Sequence, residues 1–317
     1  KQMNEKISSL RESFERELEA AKNSEAVEKL RVAYLGKKGS VTELLKGLKD
    51  VSGEQKKEMG QHINLLKKQV EEKIGAQIEK IKESCKINIA VLDYIQEHIH
   101  EGMNTAEIDK IVYDMTTSMG GIPAPLNYEG YPYSVCTSVN DQVCHGFPSK
   151  DVILKSGDII NVDVSTILNG YFSDSSRLFC IGAVSPEKKR LVEVTKECVE
   201  LGLKEVKPWG FLGDMGQAVH DHAFANGYTV VREIGGHGVG LEFHEEPWVG
   251  YNSKAGTEML MVPGMVFTIE PMVNMGQADI FVDEENDWTV YTADGQPSAQ
   301  WEVMVLVTED GYEIISY

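Results

Sequence analysis

Four carboxylates and one imidazole, each in its own ordered stretch, give this chain the ligand set of a metal centre: Asp163, Asp174, His237, Glu270 and Glu302. Asp163 stands in Asn161-Val162-Asp163-Val164 and Asp174 in Phe172-Ser173-Asp174. These are two strand-like runs joined by Leu168-Asn169-Gly170, which reads as a hairpin. Folding back across the ladder brings the two carboxylates close enough to share metal ions. His237 lies in Gly235-Gly236-His237-Gly238-Val239-Gly240, where glycines let backbone approach a crowded centre. Glu270 follows in Phe267-Thr268-Ile269-Glu270-Pro271 and Glu302 in Ser298-Ala299-Gln300-Trp301-Glu302. Two divalent cations would balance four carboxylates while the histidine stays neutral, so charge favours two ions over one. Oxygen-rich sites with one imidazole suit Mn, Fe, Co or Zn.

Further groups with chemical potential are His145 in Val143-Cys144-His145-Gly146, His244 in Phe243-His244-Glu245-Glu246-Pro247, and Tyr128, Tyr131 and Cys136 in a single short stretch. Taken singly, each has a structural reading. An Asp between valines can face solvent from an alternating strand, and histidines and aromatics beside turns are often packing. A free cysteine is commonly a small buried hydrophobe. Together and in order, residues from about 77 to 317 resemble a type I methionine aminopeptidase, the enzyme that removes initiator methionine.

That resemblance implies an α+β pita-bread fold, two similar halves about a pseudo-twofold axis with the metals between curved antiparallel strands. It implies that Asp163 chelates one ion, Asp174 and Glu302 bridge both, and His237 with Glu270 completes the other. The nucleophile is then a water or hydroxide held by the metals, with Glu270 accepting its proton. His244 is placed to polarise the carbonyl and His145 to contact the amide on the leaving side. Cys136, Tyr128, Tyr131, Phe243 and Trp288 match positions lining the methionine pocket, where a thioether meets aromatic faces. A small second residue is preferred. His244 to Glu270 runs without the helical insertion of type II enzymes. Val303 departs from the family, many members of which carry His there, and this touches support of the site rather than its ligands. The alternatives are a proline-specific aminopeptidase or dipeptidase of the same fold, and a non-catalytic RNA- or protein-binding scaffold.

Residues 1–84 differ in kind and are expected as a separate helical unit before a catalytic domain at 85–317. They are rich in Lys, Glu and Leu, with apolar residues three and four apart and few strand formers. The pattern predicts an antiparallel coiled-coil hairpin. One arm covers 4–35, broken near a cap at Asn23-Ser24. A turn region is marked by Gly36-Lys37-Lys38-Gly39 and Val51-Ser52-Gly53, and the return helix runs from Glu54 to His100 with Ser52 and Gln55 as a capping box. Leu30-Arg31-Val32-Ala33-Tyr34-Leu35-Gly36-Lys37-Lys38-Gly39 followed by Thr42-Glu43-Leu44-Leu45-Lys46 resembles the N-terminal arm of a bacterial phenylalanyl-tRNA synthetase α subunit, over about residues 3–76. That arm contacts tRNA in its family, but no class II catalytic core follows here, so no aminoacylation is expected. Lys1-Gln2 stand before a potential start at Met3, and an engineered fusion is the favoured origin over a natural one.

Residues 1–84 carry 18 Lys plus Arg against 15 Asp plus Glu, and the remainder 13 against 35, so the catalytic part is strongly acidic. Such a surface argues against nucleic-acid binding, and Lys37 and Lys38 are too few to favour tRNA over a solvated helical face. Five cysteines without regular spacing and no apolar segment of spanning length point to a reducing cytoplasm and no membrane. The expected partners are peptides and nascent chains beginning with methionine, with the ribosome a candidate.

Overall fold

The computed structural model describes residues 2–22, 24–48 and 53–317. The chain divides into two compact units, one ending at Lys80 and the other running Ile81–Tyr317. The first is helical, with α1 (Gln2–Ala20), α2 (Ser24–Leu35), α3 (Ser40–Gly47) and the opening part of α4 (Gly53–His98). Apolar residues at helical spacing form its interior: Ile7, Phe14 and Leu18 on α1, Leu30 and Tyr34 on α2, and Ile63, Leu66, Val70 and Ile74 on α4. Phe14 meets Tyr34 edge-on at 5.1 Å, and Lys73 pairs with Glu15 at 2.5 Å.

The region expected as a turn contains a helix instead. Val41, Leu44, Leu45 and Leu48 recur at i, i+3, i+4 and i+7, and Val41 and Leu48 are buried, so α3 earns its place by packing one apolar face. The cap at Asn23 and the Ser52–Gln55 capping box lie outside the described residues. Helix α4 continues through Gly60 and Gly75 without a break, although each glycine costs about 1 kcal/mol against alanine.

The second unit adds α5 (Thr105–Ser118), α6 (Pro186–Lys204) and α7 (Leu212–Ala225). Its strands are β1 (Ile122–Pro123), β2 (Cys136–Val139), β3 (Gln142–Cys144), β4 (Ile159–Leu168), β5 (Tyr171–Cys180), β6 (Thr229–Val230), β7 (Gly236–Gly238), β8 (Glu245–Val249), β9 (Val266–Ile269), β10 (Met272–Asn274), β11 (Ile280–Val282), β12 (Val290–Thr292), β13 (Ser298–Gln300), β14 (Val303–Val307) and β15 (Tyr312–Ser316). A layout of two helices laid on antiparallel strands occurs twice. In one half, Ile87, Val91, Leu92 and Ile95 of α4 and Ile108 and Val112 of α5 pack on Ile160, Val162 and Val164 of β4. In the other, Leu191, Val194 and Cys198 of α6 and Leu212, Met215 and Val219 of α7 pack on Phe267 and Ile269 of β9 and Val303 and Val305 of β14.

β4 is flanked by β2 and β1 on one edge and β5 on the other, and the second half carries a sheet in the order β15-β14-β9-β7-β8. A buried polar set fixes α4 to the first sheet. Ser84 bonds Ser173, Asn88 Nδ2 donates to Ser175, and Thr166 Oγ1 donates to Asn88 Oδ1. With partners supplied on both sides, these groups orient the helix without leaving unsatisfied atoms in the core. Among the described residues no helix is long and apolar enough to cross a membrane.

Candidate active site

The first two carboxylates come from the β4–β5 hairpin. Leu168 pairs with Tyr171, and Asn169 and Gly170 take positive φ of 50° and 83°, the two-residue turn that matches strand twist. Asp163 pairs with Ser176 and Asp174 with Ser165, two places along the same ladder, so both carboxylates lie on one face. Ser165 Oγ donates to Asp174 Oδ1 at 2.9 Å.

His237 sits on β7, which runs between β8 and β9. A Cβ on Gly236 would come 2.3 Å from the Thr268 carbonyl oxygen, and one on Gly238 would come 2.0 Å from that of Glu246. These glycines are therefore a steric requirement of the approach that delivers His237. Its Nδ1 lies 2.9 Å from the Gly238 carbonyl, a proton acceptor, which leaves Nε2 facing Asp174 and Glu270 at 3.3 Å each.

Glu270 follows β9 and is held from all sides. Thr268 Oγ1 donates to its Oε1 at 2.9 Å, Gln300 Nε2 donates to its Oε2 at 2.9 Å, and its own N–H donates to Tyr251 Oη at 2.6 Å. Glu302 is stitched to β5 by a two-way backbone bridge with Ser176, so the two halves converge on it. Ligand atoms of Asp174, His237 and Glu302 lie within 4.8 Å of one another. Val303, the departure noted in the sequence, points into the apolar core beneath α6 and α7.

The residues fit a cationic occupant. Asp163 Oδ1 and both carboxylate oxygens of Glu302 are buried without a hydrogen-bond donor, which is costly unless positive charge satisfies them. Burial, reinforced by the neighbouring Asp174 and Glu270 charges, pushes the carboxyls of Asp163 and Glu302 well above the usual range. Burial alone would lower His237, but its contacts with Asp174 and Glu270 raise it well above an ordinary histidine. Asp174 moves the other way: the hydrogen bond and charge of His237 overcome its burial and lower it. Protein groups alone leave the cluster short of positive charge.

Every candidate residue except Glu302 lines one cavity of about 690 Å³. Glu302 lies beneath it, fully buried. Cys136 pairs with Asp163 across the β2–β4 ladder, and burial together with that carboxylate pushes its thiol up. Tyr131 donates its hydroxyl to the Val135 carbonyl and meets Trp288 edge-on at 5.1 Å. Trp288 in turn stands 6.0 Å from His145. Tyr128 lies 4.9 Å from Phe243 between ring centres, and its Oη is 3.0 Å from His244 Nδ1. Crowding by protein, then the nearby His237, pulls His244 down to about 4. Burial likewise lowers His145, against the opposing pull of Asp174.

Sequence reasoning did not single out Tyr251, Thr268, Gln300 or Ser165, which hold the ligands. Thr268 on β9 and Gln300 at the end of β13 each sit two residues before a carboxylate, and that spacing was the available signal.

The sequence model of metallopeptidase family M24 matches residues 79–309. The chain belongs to this metallopeptidase family. Within it the chain falls among the methionine aminopeptidases. It is 43% identical over 258 residues to "Methionine aminopeptidase A" of Synechocystis sp., covering 81% of this chain and 99% of that protein. The crystal structure of methionine aminopeptidase from Rickettsia prowazekii superposes with a TM-score of 0.75 at 40% identity, over 77% of this chain and 98% of that one. A prolidase from Pyrococcus furiosus, at 24% identity and a TM-score of 0.61 over 76% of this chain and 64% of its own, shares the pita-bread fold. Residues 22–86 match the aminoacyl tRNA synthetase class II N-terminal domain, in line with the resemblance of the helical arm.

Proposed function

We propose that the chain hydrolyses the peptide bond after an N-terminal methionine in peptides and nascent chains, with catalysis residing in residues 85–317. The observation that carries this reading is that Asp163, Asp174, His237 and Glu270 line, and the buried Glu302 underlies, a cavity walled by Cys136, Tyr131, Phe243 and Trp288. Asp163, Asp174, His237, Glu270 and Glu302 would hold two divalent ions of Mn, Fe, Co or Zn. When bound, such ions supply Lewis acidity and lower the pKa of water toward neutrality.

The chain's own groups do the rest. Glu270 takes the proton of the attacking water, its carboxylate aimed by Thr268 and Gln300. His244 remains neutral near pH 7 because its pKa is depressed to about 4. If Tyr128 donates to Nδ1, the remaining His244 proton sits on Nε2 and is free to stabilise the carbonyl oxygen as charge develops there. His145 contacts the amide of the leaving side. The methionine thioether packs against aromatic faces and Cys136, a favourable pairing for a soft sulfur.

A peptide panel tests the reading. Protein supplied with each of the four metals should release methionine from Met-Gly peptides and leave Xaa-Pro peptides intact. Cleavage confined to Xaa-Pro peptides would move the chain to the proline-specific branch of the fold.

A further inference from the structure

The cavity wall has a feature the reaction does not use. Trp248 on β8 is paired with His237 on β7, so both side chains stand on the same face of the sheet, and both line the cavity. His237 points inward to the ligand cluster, whereas Trp248 is 51% exposed at the mouth. The indole is held from behind: a Cβ on Gly235 would lie 3.0 Å from its ring carbons, and one on Gly250 the same distance from its Nε1. An exposed tryptophan braced on backbone presents a rigid aromatic face at little entropic cost.

Charge around it is one-sided. Glu129, Glu233, Glu245 and Glu246 line the same cavity, and among the described residues no lysine or arginine does. Glu233 and Glu246 are exposed, and both line the cavity together with Trp248. An aromatic face bordered by carboxylates suits a guanidinium, which stacks on the ring while its N–H groups reach the oxygens.

We propose that Trp248, with Glu233 and Glu246, forms a subsite that selects substrates carrying a basic side chain, arginine above lysine, at the third residue. The inference rests on the proposed methionine release and extends it along the chain being cleaved. Cross-strand Cβ atoms lie about 5 Å apart and an extended chain advances about 3.4 Å per residue. A substrate whose scissile bond sits at the His237 cluster therefore brings its next residues alongside Trp248.

The test compares kcat/KM for Met-Gly-Xaa-Gly amides with Xaa as Arg, Lys, Gly or Glu, using the metal-loaded protein and its Trp248→Ala and Glu233→Gln/Glu246→Gln variants. The expected order is Arg, Lys, Gly, Glu, with Arg at least tenfold above Glu. Trp248→Ala should abolish the advantage of Arg over Lys, read as the ratio of kcat/KM for the two peptides within each variant. The double glutamine variant should reduce the gap between Arg and Glu, and added salt should do the same. Equal rates for Arg and Glu in the unaltered protein, or an order unaffected by Trp248→Ala, would overturn the subsite while leaving methionine release standing. Release from none of the peptides would overturn the activity and the subsite with it.

Discussion

His244 shows how a single residue's role is set by its neighbour. A neutral imidazole has one donor and one acceptor, and its tautomer follows the hydrogen bond made by the nitrogen facing away from the substrate. The 3.0 Å contact with Tyr128 Oη falls on Nδ1, so Tyr128, read in the sequence as a pocket wall, also positions His244. Tyr128→Phe keeps the ring against Phe243 and removes only the hydroxyl. We expect kcat to fall about fivefold with KM for a methionyl peptide little changed, since one neutral hydrogen bond contributes about 1 kcal/mol. His244→Ala, which removes the proposed donor itself, should cost about 100- to 1000-fold in kcat. Steady-state kinetics on both variants checks the split, and a Tyr128→Phe effect confined to KM would return that residue to a pocket role alone.

At the scale of elements, the site depends on strands passing closer than side chains allow. β7 carries His237 between β8 and β9 only because Gly236 and Gly238 have no Cβ. Gly238→Ala would set a methyl against the Glu246 carbonyl. It should cost on the order of 1–3 kcal/mol of stability and, by moving β7, weaken metal binding as well, which calorimetry with and without added Mn would register together.

The elements that were legible in the sequence are those with local signals. The Asn169-Gly170 turn fixed the β4–β5 hairpin and with it the placing of Asp163 and Asp174 on one face of the ladder. The helical spacing from Ile63 to Ile95 gave α4 with its ends nearly in place. Helix α3 was hidden behind the glycines at 36, 39 and 47, because punctuation outweighed the apolar spacing of Val41, Leu44, Leu45 and Leu48. The grip of Tyr251 and Gln300 on Glu270 was illegible for a different reason: those contacts span 19 and 30 residues, and no local pattern encodes them.

Across the whole molecule, the ligand cluster couples metal binding to stability. Asp163, Glu302 and His237 all have folded pKa values raised above their ordinary ones. The stability they contribute is present at low pH and lost as pH rises through the folded values. The lowered histidines His145 and His244 act oppositely, but only below about 6.5, and the lowered Asp174 only near and below 3.8. Metal-stripped protein should therefore lose stability from pH 7 upward, with a slope of about 1.4 kcal/mol per pH unit for each net proton released. Bound metal replaces those protons and should flatten the dependence, so melting temperatures at pH 7 and above, with and without metal, should diverge.

The account stands most directly on the claim that these five residues hold two ions that drive methionine release. Metal-stripped protein titrated with Mn or Co, with bound ion and methionine released from a Met-Gly peptide measured in the same samples, tests it. The predicted result is two ions per chain, activity that rises with occupancy, and loss of both tight binding and release in Glu302→Ala. Methionine release that persists in the stripped protein, or that survives Glu302→Ala at full rate, would contradict the account.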